Sequence, residues 1–240
     1  LPSGVADSQI DIALIYPALF GSYGDQGNAT VLAKRLQWRG IAAEVHTVEF
    51  TDDIPTTADI YVLGGAEDSA QLLAMERLRD SDAWRAVGNR DVPVLAICAG
   101  MQILGGSYRV GDGRTHQGAG MVDVDTAQGR NRAVGELVAT TAELDGIGTL
   151  TGSENHLGRS TLGPSARPLG NVVDGTGNDG TVEGVRQGRV VGTYLHGPVL
   201  ARNPALADLL LGWAVGGERL EPLELTAVTT LRRKHLGNRA

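Results

Sequence analysis

The sequence predicts an α/β fold: a mostly parallel central sheet flanked by helices, with an antiparallel extension. Three observations carry this expectation. From Ile10 to Cys98, short apolar, β-branched runs alternate with helical patterns, and that order builds a parallel sheet covered on both faces. Between Gly111 and Gly188 the texture changes to glycine-rich turns and shorter strands such as AVGELVATTA, which suits antiparallel pairing. A final strand, RVVGTYLHG (Arg189 to Gly197), leads into the helical stretch NPALADLLLGWAV.

Taken in order, IDIALIY (Ile10 to Tyr16) reads as a buried strand, because a strand covered on both faces is apolar throughout. GNATVLAKRLQWRG follows as a helix with Asn28 as its expected cap, Val31, Leu32, Arg35 and Leu36 at helical spacing, and Gly40 as its stop. AEVHTVEF, ADIYVLGG (Ala58 to Gly65) and VPVLAIC (Val92 to Cys98) are further strands, with helical segments from about Gln71 to Val87 between the last two. In the final helix Asn203 is the expected cap and Pro204 suits the first helical position. One main domain is expected over residues 10–215. Residues 1–9 are set aside as a disordered or processed end, and residues 216–240 form a basic tail, helical or solvated, that offers a partner contact as the alternative.

Composition narrows the setting. The chain has 240 residues, 42% hydrophobic and 20% charged, with a formal net charge of -7, so nothing draws it globally to nucleic acid or anionic membrane. A single cysteine cannot form an internal disulfide, and no signal or long apolar span is evident, which makes the cytoplasm the expected compartment. The histidines show neither a paired i, i+4 arrangement nor a cysteine cluster, so no dedicated metal site is expected. GTGNDG (Gly175 to Gly180) matches a dinucleotide-binding string but precedes the strand-like TVEGVR rather than a helix; it reads as a turn.

Cys98 is the one thiol, and it stands where strand VPVLAI stops and a helix opens. A sharp strand-to-helix turn lifts a side chain out of the sheet towards the first helical N–H groups, which favour negative charge. A lowered thiol pKa is therefore the expectation; a small buried spacer is the alternative, and by residue type it is the commoner one. A nucleophile needs a base. Of His46, His116, His156, His196 and His235, only His196 ends a strand of the parallel type, where it would emerge on the same carboxyl edge as Cys98.

LAICAGMQILGG (Leu95 to Gly106), followed far downstream by GTYLHGP, resembles the class I glutamine amidotransferases, whose fold is flavodoxin-like, and in particular their cobyric-acid-synthase-like branch. YPALFGSYGDQGNATVLAKRLQWRGI, LGGAEDSAQ, GRNRAVGEL, SENHLGRS and YLHGPVLARNP extend the likeness in the same order along the chain. Within that branch they are similar to the glutaminase subunits of lipid II isoglutaminyl synthases.

The resemblance implies that Cys98 attacks the side-chain amide of L-glutamine and that His196 takes and returns the proton. It implies the backbone N–H groups of Ala99 and Gly65 as the oxyanion hole, where losing one donor typically costs about 100- to 1,000-fold in rate. Arg132, in the setting N-R-A-V-G, is implied as the anchor of the glutamine α-carboxylate. Gln102 lies one helical turn after Cys98, and it either contacts the substrate or packs the helix.

Many class I amidotransferases carry a glutamate two residues after the catalytic histidine; here that residue is Pro198. The orienting acid is expected from a partner subunit, with Asp25 and Asp68 as alternatives within the chain. The implied partner is a MurT-like Mur ligase subunit that amidates the D-glutamate of the lipid II stem peptide in peptidoglycan synthesis. No Walker A sequence is present, so ATP and Mg are expected on the partner and no cofactor in this chain. Two alternatives stay open: ammonia supply to another acceptor such as a corrinoid carboxylate, and a non-enzymatic binding subunit of the same fold.

Overall fold

β1 (Ile10–Ile15) is buried at nearly every position, as its unbroken apolar pattern requires. The computed structural model describes residues 9–21, 23–109, 113–141, 146–217, 220–223 and 225–236, so Gln9 alone of the N-terminal end lies within it. α1 (Gly27–Gln37) returns the chain to β2 (Ala43–Val48), and β3 (Ile60–Leu63) follows. The predicted helical stretch is two helices, α2 (Asp68–Arg79) and α3 (Asp82–Gly88), divided where the Ser81 side chain accepts from the Trp84 N–H and caps the second. β4 (Val94–Ile97) then runs directly into α4 (Ala99–Leu104).

β5 (Ser107–Arg109), β6 (Thr115–Gln117), β7 (Val124–Thr141), β8 (Gly148–Leu162), β9 (Gly170–Asp174) and β10 (Val182–Glu183) make the extension. β11 (Val185–Gln187) and β12 (Val190–Thr193) bring the chain back to the first sheet. α5 (Val199–Arg202), α6 (Pro204–Ala214) and α7 (Thr226–Leu236) complete it.

The first sheet has the order β11-β12-β4-β3-β1-β2. It is parallel except for β11, which pairs antiparallel with β12. β12, late in the sequence, lies beside β4, pairing Val190 with Val94 and Thr193 with Ile97. That insertion brings His196 to the end of β4. The second sheet runs β10-β9-β7-β5-β6, with β8 on β7. It is antiparallel apart from the parallel pair β5 and β7. The mixed architecture and the antiparallel extension match the sequence reading. Among the described residues no helix is long and apolar enough to cross a membrane.

Two expected caps do different work. α1 starts at Gly27 without a side-chain cap bond; Asn28 is fully enclosed, donates to the Asp25 carbonyl at 2.8 Å and accepts from the Leu200 N–H at 3.0 Å. Asn203 likewise makes no cap bond to α6. Its amide exchanges hydrogen bonds with Thr151 N–H and C=O of β8, 2.9 and 2.8 Å, and donates to the Val199 carbonyl at 2.8 Å. In both cases a buried polar group must be satisfied, and long-range backbone groups outcompete the local cap. Pro204 does take the first helical turn. The tail's α7 touches the body through Arg232, which donates to the Arg202 and Thr149 carbonyls and to Asn203 Oδ1.

Candidate active site

Cys98 has φ 50° and ψ -106°, one of two described non-glycine residues with positive φ. A side chain at that angle is strained, and such strain persists only where the surroundings impose it. Here they are specific. The Cys98 N–H donates to the Thr193 carbonyl of β12 at 2.7 Å, its carbonyl accepts from Gln102 N–H at 3.0 Å, and Gly100 N–H donates to the Gly64 carbonyl at 3.2 Å. A Cβ on Gly100 would stand 3.0 Å from both that carbonyl and Leu63 Cβ, so glycine lets the elbow press against the β3 loop.

His196 reaches the same rim three residues after β12. Its backbone is bridged to Ser153 of β8, with N–H to carbonyl distances of 2.8 and 3.2 Å. Its Nδ1 lies 2.9 Å from Asp25 Oδ2. A carboxylate only accepts, so Nδ1 carries the proton and Nε2 has the open lone pair. Nε2 is buried and has no hydrogen-bond partner among the described residues. The ring of Tyr23 lies 4.5 Å from the imidazole, centroid to centroid. The chain's own Asp25, fully enclosed, thus faces the imidazole where a partner-supplied acid was expected. The sequence hid this because a glycine-flanked aspartate before a helix reads as a turn residue. Asp68 opens α2, and its side chain lies outside the described residues.

The thiol departs from expectation. Cys98 is 6% exposed, and burial, followed by the negative charge of Asp25, pushes its pKa up to about 12. The backbone N–H of Ala99 and the positive charge of Arg132 act the other way and are outweighed. α4 has only six residues, too short a helix to overcome desolvation of a thiolate. Cys98 therefore rests as a thiol and loses its proton only in a step that supplies a base.

Of the two implied oxyanion donors, Gly65 is engaged. Gly65 N–H donates to Asp25 Oδ2 at 3.0 Å, while Ala99, the first residue of α4, lowers the thiol pKa through its backbone N–H. Arg132 stands exposed on β7, where the register with β8 shifts between Gln128 and Ala133. Its Nε donates to Asn155 Oδ1 at 2.8 Å. Gln102 is tied at both ends of its amide, accepting from Gln71 Nε2 at 2.7 Å and donating to the Tyr194 hydroxyl at 3.0 Å. That geometry favours its packing role. A cleft of about 440 Å³ opens at His196, lined also by Tyr23, Glu136, Ser153, Glu154 and Asn155.

Beneath lies a polar network that sequence reasoning passed over. Glu154 accepts from the Thr176 and Gly177 N–H groups at 2.7 and 2.9 Å and pairs with His156 at 3.1 Å. Its pKa falls below the usual carboxylate range because these bonds outweigh its desolvation. The alternation in SENHLGRS was the available signal: Glu154, His156 and Ser160 all face inwards from β8. Elsewhere, Asp11, Glu44 and His46 on the adjacent strands β1 and β2 bring ligand atoms within 4.8 Å of one another, the one such cluster found among the described residues.

Residues 11–204 match the model of the CobB/CobQ-like glutamine amidotransferase domain. The chain is 34% identical over 224 residues to the glutamine-hydrolysing subunit GatD of lipid II isoglutaminyl synthase from Streptococcus pneumoniae, covering 91% of this chain and 85% of that protein. It is 34% identical over 220 residues to GatD of Staphylococcus aureus, covering 89% and 88%. Among solved structures, one described as a glutamine amidotransferase superposes with a TM-score of 0.56 at 20% identity, covering 85% of this chain and 98% of that one; this likeness is one of fold.

Proposed function

Because the chain belongs to the CobB/CobQ-like glutamine amidotransferase family, we propose that its glutamine-hydrolysing reaction runs on Cys98, His196 and Arg132. It is the glutaminase subunit of a lipid II isoglutaminyl synthase, a carbon-nitrogen ligase of peptidoglycan synthesis that draws its nitrogen from L-glutamine.

The cleft at His196 receives glutamine, and the Arg132 guanidinium, bonded to Asn155 of that cleft, holds its α-carboxylate by charge-assisted bonds. The Cys98 sulfhydryl proton passes to His196 Nε2 as sulfur attacks the carboxamide carbon, and the carbonyl electron pair moves onto oxygen. Collapse of that oxyanion expels the amine, which takes the proton from the imidazolium and leaves as ammonia. A γ-glutamyl thioester remains. Water, deprotonated by the same Nε2, repeats the sequence and releases glutamate and the thiol. A thiol with a pKa of about 12 makes the proton transfer part of the attack rather than a step completed before substrate binds.

Ammonia passes to a MurT-like ligase subunit that amidates the D-glutamate of the lipid II stem peptide. Activating that carboxylate is the ligase's chemistry, and ATP and Mg are assigned there. Working on a peptidoglycan precursor, the glutaminase is assigned to the cytoplasm.

The observation that carries the residue assignment is the convergence of an elbow cysteine and a buried imidazole with an open Nε2 at the ends of two adjacent strands. Glutamate release is measured for the chain co-produced with its ligase partner, wild type beside Cys98→Ala. Release by the wild type alone supports the assignment, and an assembled wild type that releases no glutamate overturns it.

A further inference from the structure

A single carboxylate oxygen serves two donors at this rim. Asp25 Oδ2 accepts from His196 Nδ1 at 2.9 Å and from Gly65 N–H at 3.0 Å. The other oxygen, Oδ1, is buried and has no hydrogen-bond partner among the described residues. The Asp25 backbone is held from behind, since Asn28 Nδ2 donates to its main-chain carbonyl at 2.8 Å and is itself fixed by Leu200 N–H. Gly65 fits by having no side chain: a Cβ there would stand 3.0 Å from His196 Cε1 and 3.2 Å from Asp25 Oδ2.

We propose that Asp25 is a positioning residue with a double hold: it orients His196 as the base, and it keeps the Gly65 N–H from the reacting carbonyl until charge develops there. The proposal rests on the glutamine-hydrolysing reading above. It adds that the oxyanion hole is incomplete at rest and is finished by the reaction itself.

Two events in the attack step favour the transfer. When Nε2 takes the thiol proton, the imidazolium Nδ1–H becomes a charge-assisted donor and claims Oδ2 more strongly. At the same moment the carbonyl oxygen becomes an oxyanion, a charged acceptor beside Gly65. The Gly65 N–H then exchanges Asp25 for the oxyanion. A bond made only in the transition state lowers the barrier without tightening ground-state binding.

The test uses the chain with its ligase partner, wild type and Asp25→Asn, and three readouts. The first is labelling of Cys98 by a diazoketone analogue of glutamine, in which the diazo carbon takes up the thiol proton and sulfur bonds to that carbon as dinitrogen leaves. A wild type that is not labelled at Cys98 refutes the glutaminase reading itself and is thereby distinguished from failure of the Asp25 proposal.

The second readout is steady-state kinetics. Asp25→Asn is expected to lower kcat by roughly 100-fold or more while KM for glutamine stays within about twofold, the mark of an interaction made only in the transition state. Wild-type kcat in that variant overturns the proposal. The third needs no variant and so survives a folding defect: the Gly65 amide resonance in the wild-type protein, free and after labelling, when the ketone oxygen occupies the oxyanion position. A shift of the Gly65 amide on labelling supports the exchange; an unmoved resonance overturns it.

Discussion

The imidazole of His156 lies flat on the ring of Tyr194, centroids 3.7 Å apart and planes inclined by 16°. The stack joins the Glu154 pair on one side to a chain of hydroxyl and amide bonds on the other. The Tyr194 hydroxyl lies 2.8 Å from Ser160 Oγ and accepts from Gln102 Nε2. Since Gln102 sits on α4, whose first turn begins at the nucleophile, this buried network fixes the helix that presents Cys98.

Tyr194→Phe keeps the stack and removes the hydroxyl. Gln102 Nε2 loses its acceptor in a place closed to water, while Ser160 Oγ keeps Thr126 Oγ1 at 2.7 Å, and an unmet buried polar group costs about 1–3 kcal/mol. Urea denaturation is expected to show a loss of about 2 kcal/mol. A midpoint unchanged from wild type would mean that the hydroxyl carries no strain-bearing bond there.

His196→Ala removes the group that accepts the thiol proton. With the Cys98 thiol pushed up to about 12, water at neutral pH is a poor substitute, and glutamate release is expected to fall by about 1,000-fold or more. Circular dichroism checks that the fold survives. Ammonia release at the wild-type rate would remove His196 from the base role.

Arg132→Ala is expected to act mainly on glutamine binding. Hydrogen bonds to charged groups contribute about 1.5–3 kcal/mol, which corresponds to roughly a 10- to 150-fold fall in kcat/KM, appearing as a higher KM. Its one described side-chain bond is to Asn155 at the exposed rim, so stability should hardly change. An unaltered kcat/KM returns Arg132 to the surface.

Glu183 gives a pH signature in stability. Burial raises its pKa to about 7, against the bonds it accepts from Thr193 and Tyr194. Between the unfolded value of 4.5 and about 7 the native state holds a proton that the unfolded chain has released. The contribution of this group is therefore greatest below 4.5, falls as pH rises through that window and is level above it. The total change amounts to about 3 kcal/mol. Glu183→Gln cannot titrate, so its stability relative to wild type should improve from pH 5 to pH 8 by up to that amount in urea titrations. A difference independent of pH would assign the proton elsewhere.

Reading the sequence located the elbow and the histidine because both signals are local. An apolar run that ends at Ala-Ile-Cys-Ala-Gly, and a β-branched run that ends at Leu-His-Gly-Pro, each specify a strand terminus from neighbouring residues alone. Parallel strand order then places both on the carboxyl edge. Asn28 and Asn203 misled for the complementary reason. Cap chemistry is local, but both amides are buried against backbone groups more than 50 residues away, at Leu200 and Thr151.

The sequence by itself determined the layer architecture, the nucleophile's turn and the rim on which the base emerges, since periodicity and turn chemistry act over a few residues. Only the tertiary structure decided that Asp25, 171 residues from His196, would lie against the imidazole. Only packing decided that the thiol would be driven up in pKa rather than down, and that the Gly65 N–H would already be bound. Each of these depends on how much water a folded neighbourhood excludes and on which charges it brings close, quantities that no stretch of chain carries alone.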